Sequence, residues 1–251
     1  MSIRSLCPMP VAMTMALLLS ATALVAQTPA RPDLSGIWSR TGPGAHQDFS
    51  QEPPPLQPWA KAVYDENREG DRGRDELDPV IYCMVHGFPR IMAGNQPIEI
   101  VQTPSQVYLL FEAHQMQRRI YLDGRKLPEN YPSAFMGFST GKYDGDTLVV
   151  ETAGLNDLTW LDRGGIPHSE ALRVTERFRR AAQDTLEIAF RFDDPKAFTK
   201  SWEAKKTYQL KPDWEILENI GYCEDRYRYN FERKAFRGTV RWQSPEQAVG
   251  R

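Results

Sequence analysis

From Pro97 onward, short stretches rich in β-branched and aromatic residues follow one another, separated by turn residues. Such a succession is typical of antiparallel strands. No long helical pattern separates neighbouring stretches, which argues against a parallel α/β sheet. The predicted strands span residues 98–103, 106–112, 116–122, 137–143, 147–152, 172–179, 185–192, 203–210 and 215–222.

The side chains alternate along these stretches as they do in a half-buried strand. In the stretch 185–192, Leu186 and Ile188 lie on one face while Glu187 and Arg191 lie on the other. The expected fold class is therefore mainly β, either a single antiparallel β-barrel of lipocalin-like architecture or a barrel-like sandwich.

The segments outside the predicted barrel have a different texture. Residues 27–96 contain three consecutive prolines and little periodicity, so they predict an N-terminal arm that wraps around the barrel, with Ile37 and Trp38 attaching it to the core. Trp59, Ala62 and Val63 have helical spacing and predict one short helix over residues 59–68. The barrel is assigned to residues 97–235 and a C-terminal tail to residues 236–251.

An apolar run at the start of the chain has the pattern of an export signal. Arg4 precedes the run 11–26, which ends in small residues and is followed by a polar segment. The run is shorter than the ~20 residues that a membrane-spanning helix needs. Residues 1–26 are therefore predicted to be a cleaved signal peptide, and the mature protein is expected in the periplasm or outside the cell with no membrane span.

The charge balance restricts the partners. The 251 residues include 31 basic and 33 acidic side chains, for a net charge of −2. Such a chain has no excess of positive charge to neutralise phosphates, so nucleic acid is not expected as a partner. A small molecule is the expected ligand, and composition leaves the oligomeric state open.

Two cysteines remain after removal of the signal, Cys83 and Cys223. In an oxidising compartment such a pair predicts one disulfide, and the alternative is two buried thiols. The pair lacks the closely spaced partners of a zinc site, so no metal is assigned to it.

The loop between the strands at 147–152 and 172–179 holds the densest mixture of polar residues, and scaffold loops are where sites are usually built. His168 can act as a general acid or base near neutral pH, with Asp162 or Glu170 orienting its second nitrogen. These three are the predicted catalytic residues. Asn156, Asp157 and Trp160 are assigned to substrate binding, and the alternative for Trp160 is a hydrophobic anchor of the loop.

Two other interpretations of this loop stay open. Asp157, Asp162 and Ser169 can instead brace a long loop through bonds to its backbone. Oxygen ligands with one imidazole also suit several divalent ions, but their spacing matches no dedicated motif, and no metal is assigned. The chain also lacks a dinucleotide fingerprint and a phosphate-binding glycine loop, so no organic cofactor is expected.

Further candidate residues lie on the predicted strands and in the loop after Cys83. Alternation places Arg118 on the more apolar face of its strand, where it can balance Glu176 or Glu218 or bind an anionic substrate. Glu176 and Glu218 interrupt apolar faces and therefore imply partners, water or a polar cavity. His86, in a turn-rich loop, is either structural or a second histidine near His168.

Several motifs occur in order along the chain: DLSGIW, C-x-x-x-G-x-P-R, EIVQTPSQVYLLFE, RRIYLDGR, GDTLVVETAGLNDLTWLD, PHSEALRVTERFRR and a late YCED. Together they resemble a large family of exported bacterial proteins of unknown function. The resemblance covers residues 33–225 and implies export and a shared β-rich domain. It implies no catalytic assignment.

Two functions are consistent with these patterns. The first is an exported enzyme without an organic cofactor, a lyase, isomerase or hydrolase that uses His168 on a hydrophobic or aromatic substrate inside the barrel. The second is a non-catalytic periplasmic carrier for a small apolar ligand. The sequence leaves open whether the chain is an enzyme.

Overall fold

The predicted β-barrel is present in the computed structural model, which describes residues 31–40, 47–70, 77–82 and 84–218. Nine strands of these residues form one closed barrel in which each strand pairs with the next along the chain and the last pairs with the first. They are β1 (Gly36–Ser39), β2 (Ile98–Gln102), β3 (Gln106–Phe111), β4 (Gln117–Tyr121), β5 (Phe138–Asp144), β6 (Thr147–Ala153), β7 (Arg173–Ala182), β8 (Thr185–Asp193) and β9 (Trp202–Leu210).

One strand pair departs from the expected antiparallel arrangement. β4 and β5 run parallel, with Ile120 opposite Ser139 and Tyr121 opposite Thr140. Parallel neighbours need a long connection that returns the chain to the same end, and residues 122–137 supply it. The other pairs around the barrel are antiparallel.

The strand that closes the barrel lies in the predicted arm. β1 pairs with β2 on one side and, through Trp38 and Ser39, with β9 on the other. Assigning all of residues 27–96 to an arm is therefore wrong for this segment. A strand of four residues is too short to show an alternation of apolar and polar side chains. Trp38 is fully buried, as expected.

The ninth predicted strand, at 215–222, does not form over the four of its residues that the structure describes. Residues 215–218 form no strand, and Glu218 is exposed rather than set on an apolar barrel face. The reason is that β1 already pairs with β9, so the barrel has no open edge to which a further strand could add. Residues 219–222, like the predicted tail and signal peptide, lie outside the described residues.

The barrel interior is filled by side chains from alternate positions. Leu186, Ile188, Phe190 and Phe192 of β8 are buried, whereas Arg191 on the opposite face is exposed. Burial of each such apolar side chain stabilises the fold by roughly 1.5–3 kcal/mol. The barrel is therefore a packed core along much of its length.

The short helix is confirmed, but it buries a different face from the predicted one. α1 (Pro58–Gly70) buries Ala60, Tyr64 and Asn67, while Trp59 and Ala62 are exposed. These buried positions are four and three residues apart and so share one side of the helix. The Asn67 amide donates to the Gly165 carbonyl at 2.8 Å, which docks α1 on the loop between β6 and β7.

A second helix, α2 (Arg90–Ala93), lies on the barrel end where β6 ends and β7 begins. It is attached through the Tyr208 hydroxyl of β9, which donates to the Met92 carbonyl at 2.6 Å. Within the described residues, neither helix has the length or apolar content needed to span a bilayer.

Candidate functional site

The loop at residues 154–172, which joins β6 to β7, is mostly buried. Its backbone is held by a bond from the Leu161 amide to the Ile166 carbonyl at 2.8 Å, and α1 packs on it. Trp160 is also buried, with the Arg90 guanidinium 5.7 Å from the centre of its ring. Much of the loop is thus a structural cover for one end of the barrel.

His168 lies inside this cover. Its Nδ1 is 3.3 Å from the Ser169 carbonyl oxygen, and its Nε2 has no hydrogen-bond partner of good geometry among the described residues. Burial lowers the pKa of His168, although the Ser169 carbonyl and the nearby Asp194 oppose this. The ring is therefore neutral at physiological pH.

The two carboxylates predicted to orient His168 do not contact it in the described residues. Asp162 is fully buried and accepts hydrogen bonds from the Phe49 amide at 2.7 Å and the Gly164 amide at 2.8 Å. Glu170 is exposed at the surface turn before β7. The three residues therefore do not form a hydrogen-bonded catalytic set in this structure.

Asp162 is nevertheless the most perturbed carboxyl group of the loop. Burial raises its pKa to about 7, and the charge of Asp48 adds to this effect, while the Phe49 and Gly164 amides and Lys206 act against it. Burial also lowers the pKa of Lys206 to about 8, assisted by the positive charge of Arg40. Strongly perturbed groups of this kind often mark functional sites.

The carboxylate beside His168 is Asp194, which sequence reasoning missed. It accepts hydrogen bonds from the Ser169 amide at 2.7 Å and the Ser169 hydroxyl at 2.8 Å, and also from the Lys196 and Ala197 amides. Its position before Pro195 at a strand end is a turn signal. Asp194 therefore holds a turn in place.

Asn156 and Asp157, predicted to bind substrate, lie at the start of the loop. The Asn156 side-chain oxygen accepts a bond from the Leu158 backbone amide at 3.3 Å, and the Asn156 backbone amide donates to the Ala134 carbonyl at 3.1 Å. Asp157 is exposed. Of the three side chains that the bracing alternative names, Asp162 accepts from the Gly164 amide at 2.8 Å and the Ser169 hydroxyl accepts from the Ala171 amide at 3.1 Å.

Arg118 faces the barrel interior, where it meets Glu176. Its Nη1 lies 3.0 Å from Oε1 of Glu176, and its Nη2 donates to the other carboxylate oxygen. The same guanidinium donates to the hydroxyls of Ser139 at 3.0 Å and Thr152 at 2.8 Å. Of the two predicted partners, Glu176 is the one used, since Glu218 is exposed.

The Phe88 ring covers this ion pair, with its centre 3.9 Å from the Arg118 guanidinium carbon. Both charged side chains are almost completely shielded from solvent. A guanidinium already held by a carboxylate and two hydroxyls has little capacity left for an anionic substrate. The pair is therefore part of the core in this structure.

His86 packs on His114, with the ring centres 4.6 Å apart, and its buried Nδ1 forms no hydrogen bond, with His168 or with any other described residue. Burial lowers the pKa of His86 to about 3, with the positive charges of Arg90 and His114 adding to the effect. Arg90 itself forms a two-point ion pair with the buried Asp78, at 2.7 and 2.6 Å.

A groove on the outer surface of the barrel offers space for a small molecule. Its volume is about 310 Å³, at the lower end of the usual range for ligand sites. Its floor is the outer face of β5 to β8, and its wall is the start of the β4–β5 connection. The lining residues are Arg125, Lys126, Leu127, Phe138, Thr140, Glu151, Thr152, Ala153, Arg173, Val174, Thr175, Arg191 and Asp193.

The strand register explains why a depression forms here. Thr140, Glu151, Thr175 and Arg191 stand opposite one another in a row across four strands. The floor of the groove is formed by small side chains, those of Thr140, Thr175 and the adjacent Ala153, and longer side chains stand around it. Each of these residues alternates with an inward one, so the groove follows directly from the strand pattern.

The groove is rich in positive charge although the whole chain is slightly acidic. Four basic side chains, those of Arg125, Lys126, Arg173 and Arg191, line it against the two acidic groups of Glu151 and Asp193. Arg125 pairs with Asp123, and Arg191 lies 3.5 Å from Glu203.

Two of these cations differ from the others. Within the described residues, no carboxylate lies within ion-pair distance of Lys126 or Arg173. The groove therefore offers cationic groups that are not already paired. A sequence signal for it existed in the outward-facing small and basic residues, but the arrangement depends on the cross-strand register.

The described residues support neither the divalent-ion alternative for the loop nor the predicted disulfide. Within the described residues, no three potential metal-binding side chains of the histidine, cysteine, aspartate or glutamate type come together. Cys83 and Cys223 both lie outside the described residues, so the disulfide stays a prediction.

The comparisons with known proteins add no assignment. No protein-family model matches the chain, and the search of curated proteins found none that is significantly similar in sequence. Membership of the exported bacterial family therefore stays a prediction from the motifs.

Proposed function

We propose that the protein binds a small organic anion in the outer groove of its barrel. The observation that carries this proposal is the pairing state of the groove's cations: Lys126 and Arg173 line the groove with no carboxylate partner among the described residues. Carboxylate and phosphate groups are the natural partners of such side chains, because their hydrogen bonds are assisted by charge.

An apolar portion of the ligand also has a place in the groove. Phe138 lines it and stacks on Tyr121, with the ring centres 5.2 Å apart, and the Arg125 guanidinium carbon lies 4.0 Å from the centre of the Tyr121 ring. Leu127 stands in the wall. A compact anion with an aromatic or aliphatic part therefore fits better than an inorganic ion.

This proposal keeps the carrier alternative but changes its site and ligand. The ligand lies outside the barrel rather than within it, and it is charged rather than purely apolar. Catalysis by His168 is not included, because Asp162 and Glu170 do not contact it. Export to the periplasm remains part of the proposal through the predicted signal at residues 1–26.

The proposal is tested by calorimetric titration with citrate, phenyl phosphate and the neutral analogue phenol. We expect the two anions to bind and phenol to bind far more weakly. Since the groove is open to solvent, affinity should fall as ionic strength rises. Failure of both anions to bind would contradict the proposal.

Substitutions locate the site. Arg173→Gln and Lys126→Gln should each weaken anion binding by roughly tenfold, as expected for the loss of one charge-assisted contact. Arg177→Gln is the matched control, because Arg177 lies two residues further along β7, pairs with Asp144 at 3.1 Å and does not line the groove. Ala153→Trp should block binding by filling the floor. Equal affinities in all four variants would place the anion elsewhere.

A further inference from the structure

A short segment before α1, residues 47–50, crosses the barrel end near the loop at 154–172, and we call it the strap. Its Phe49 ring is buried against the inward-facing Phe190 and Phe192 of β8, with both pairs of ring centres 4.9 Å apart in edge-to-face geometry. Phe49 thus occupies an aromatic surface that belongs to the barrel core. Edge-to-face contacts of this kind are the favoured arrangement of aromatic rings.

The strap is also held by polar contacts that come from distant parts of the chain. The Phe49 amide donates to the Asp162 carboxylate at 2.7 Å, and the Lys206 ammonium donates to the Asp48 carbonyl oxygen. The Gln47 side chain donates to Asn95 at 3.0 Å. Each of these partners lies on another element, so the strap can leave without breaking a strand pair.

The chemistry under the strap combines aromatic rings with positive charge. The Lys206 ammonium is 5.4 Å from the centre of the Phe49 ring, and Arg40 is near enough to Lys206 for its charge to lower the pKa of that lysine. A ring that replaced Phe49 would meet Phe190 and Phe192. A carboxylate attached to that ring would replace the Asp48 carbonyl as an acceptor for Lys206.

We infer that the Phe49 ring occupies a second ligand site, which accepts an aromatic carboxylate when the strap lifts away. The site is independent of the outer groove, since none of its residues lines that groove. Phe49 acts as an internal competitor: the ligand binds only to the fraction of molecules in which the strap is open, and its apparent affinity is reduced accordingly.

Asp162, which accepts the bond from the Phe49 amide of the strap, is itself buried. Burial raises its pKa to about 7, and the charge of Asp48 adds to this, while Lys206 and the Phe49 and Gly164 amides lower it. The bond from the strap therefore favours the ionised carboxylate.

The experiment measures amide hydrogen exchange at Phe49 in the full protein, with and without 3-phenylpropionate at one pH. A ligand that displaces the strap must speed exchange of the Phe49 amide, because that amide loses its bond to Asp162. We expect an increase of about tenfold or more at saturation. The Ser169 amide, which donates to Asp194 at 2.7 Å, is the internal control and should not change.

Variants distinguish a ligand site that exists in the parent protein from a cavity that a substitution creates. Phe49→Ala removes the competitor and should bind 3-phenylpropionate about tenfold more tightly than the parent protein, and Phe49→Leu serves if that variant does not fold. Lys206→Met should weaken binding of the acid but not of 3-phenylpropionamide. Arg173→Gln should weaken only the binding of 3-phenylpropionate in the outer groove and should leave the exchange response of the Phe49 amide unchanged, so failure of this site is distinct from failure of the groove.

Two results would overturn the inference. The first is tight binding of 3-phenylpropionate by Phe49→Ala when saturating ligand does not change exchange of the Phe49 amide in the parent protein, which would show a cavity made by the substitution alone. The second is unchanged or slower exchange at Phe49 in Arg173→Gln at saturating ligand, which would show that the ligand does not displace the strap.

Discussion

Arg118 and Glu176 form a two-point ion pair inside the barrel, joining β4 to β7 across the interior. Nη1 and Oε1 are 3.0 Å apart, and the second pair of atoms is also within hydrogen-bond distance. Ser139 and Thr152 complete the network, and their hydroxyls are 2.9 Å apart. Because both charges are shielded from water, each depends on the other for compensation.

Removing one member of this pair should destabilise the protein strongly. Arg118→Met leaves the Glu176 carboxylate buried without its cation, and we expect a loss of about 3–5 kcal/mol in the free energy of unfolding. The double variant Arg118→Met/Glu176→Leu removes both charges and should recover much of this loss. Urea unfolding followed by circular dichroism measures the two values.

The exposed pair of Arg179 and Glu187, 2.7 Å apart on the outer face, is the control for that experiment. Solvent-exposed ion pairs contribute little to stability, so Arg179→Met should change the unfolding transition far less than Arg118→Met. Equal effects from the two substitutions would show that the interior pair is not the compensating network described here.

Asp162 makes the stability of the protein depend on pH. Its pKa is about 7 in the folded protein, against an ordinary value of 3.8. A raised pKa means that the folded state holds the proton more tightly than the unfolded state. The stability due to this group is therefore fully present below pH 3.8 and is lost as the pH rises through 7.

We expect ionisation of Asp162 to lower the free energy of unfolding by as much as ~4 kcal/mol between pH 4 and pH 8. Asp162→Asn cannot ionise and should remove this part of the pH dependence. The substitution should also lower stability at acidic pH by about 1–3 kcal/mol, because one of the two backbone amides that donate to Asp162 loses its acceptor. Denaturant unfolding at several pH values gives both numbers, and an unchanged slope in the variant would contradict the assignment.

Much of the barrel could be predicted because buried and exposed side chains alternate along a strand with a period of two. In β8, the alternation of Leu186 and Ile188 with charged neighbours gave both the strand and its buried face correctly. The same alternation placed Arg118 on the more apolar face of its strand and Glu176 on an otherwise apolar face, so their pairing was one of the two predicted alternatives.

The rest depends on contacts between segments that are far apart in the chain. The bond between the Phe49 amide and Asp162 spans 113 positions, and no local pattern indicates it. β1 has only four residues, so its role in closing the barrel follows from its two neighbours rather than from its own sequence. The outer groove likewise requires the register of four strands.

Closure of the barrel by β1 is testable through Trp38, which is 0% exposed and whose indole donates to the Leu34 carbonyl at 2.8 Å. Trp38→Ala should lower the unfolding free energy by about 3–5 kcal/mol, as for other large buried aromatic residues. Trp214→Ala is the control, since that side chain is 46% exposed. Thermal unfolding that is affected equally by both substitutions would count against β1 as an integral barrel strand.

Gly137 connects the long β4–β5 segment to β5, next to the Phe138 side chain that lines the groove. Its φ of +58° lies in the left-handed region, and a Cβ there would be 2.7 Å from the Ala153 carbonyl oxygen and 2.8 Å from Leu155. Gly137→Ala therefore combines backbone strain with a clash against backbone. We expect a loss well above the ~1–2 kcal/mol of the strain alone.

Gly124 provides the matched comparison for that substitution. Its φ is +77°, but a Cβ there would have no heavy atom within 4 Å beyond its neighbours in the chain. Gly124→Ala should therefore show only the strain, about 1–2 kcal/mol. If the proposed groove binds anions, Gly137→Ala should also weaken citrate binding, because relief of the clash moves Phe138, whereas Gly124→Ala should change affinity much less. Calorimetric titration of the two variants tests this, and equal losses of stability in both would show that Gly137 is not closely packed against Ala153.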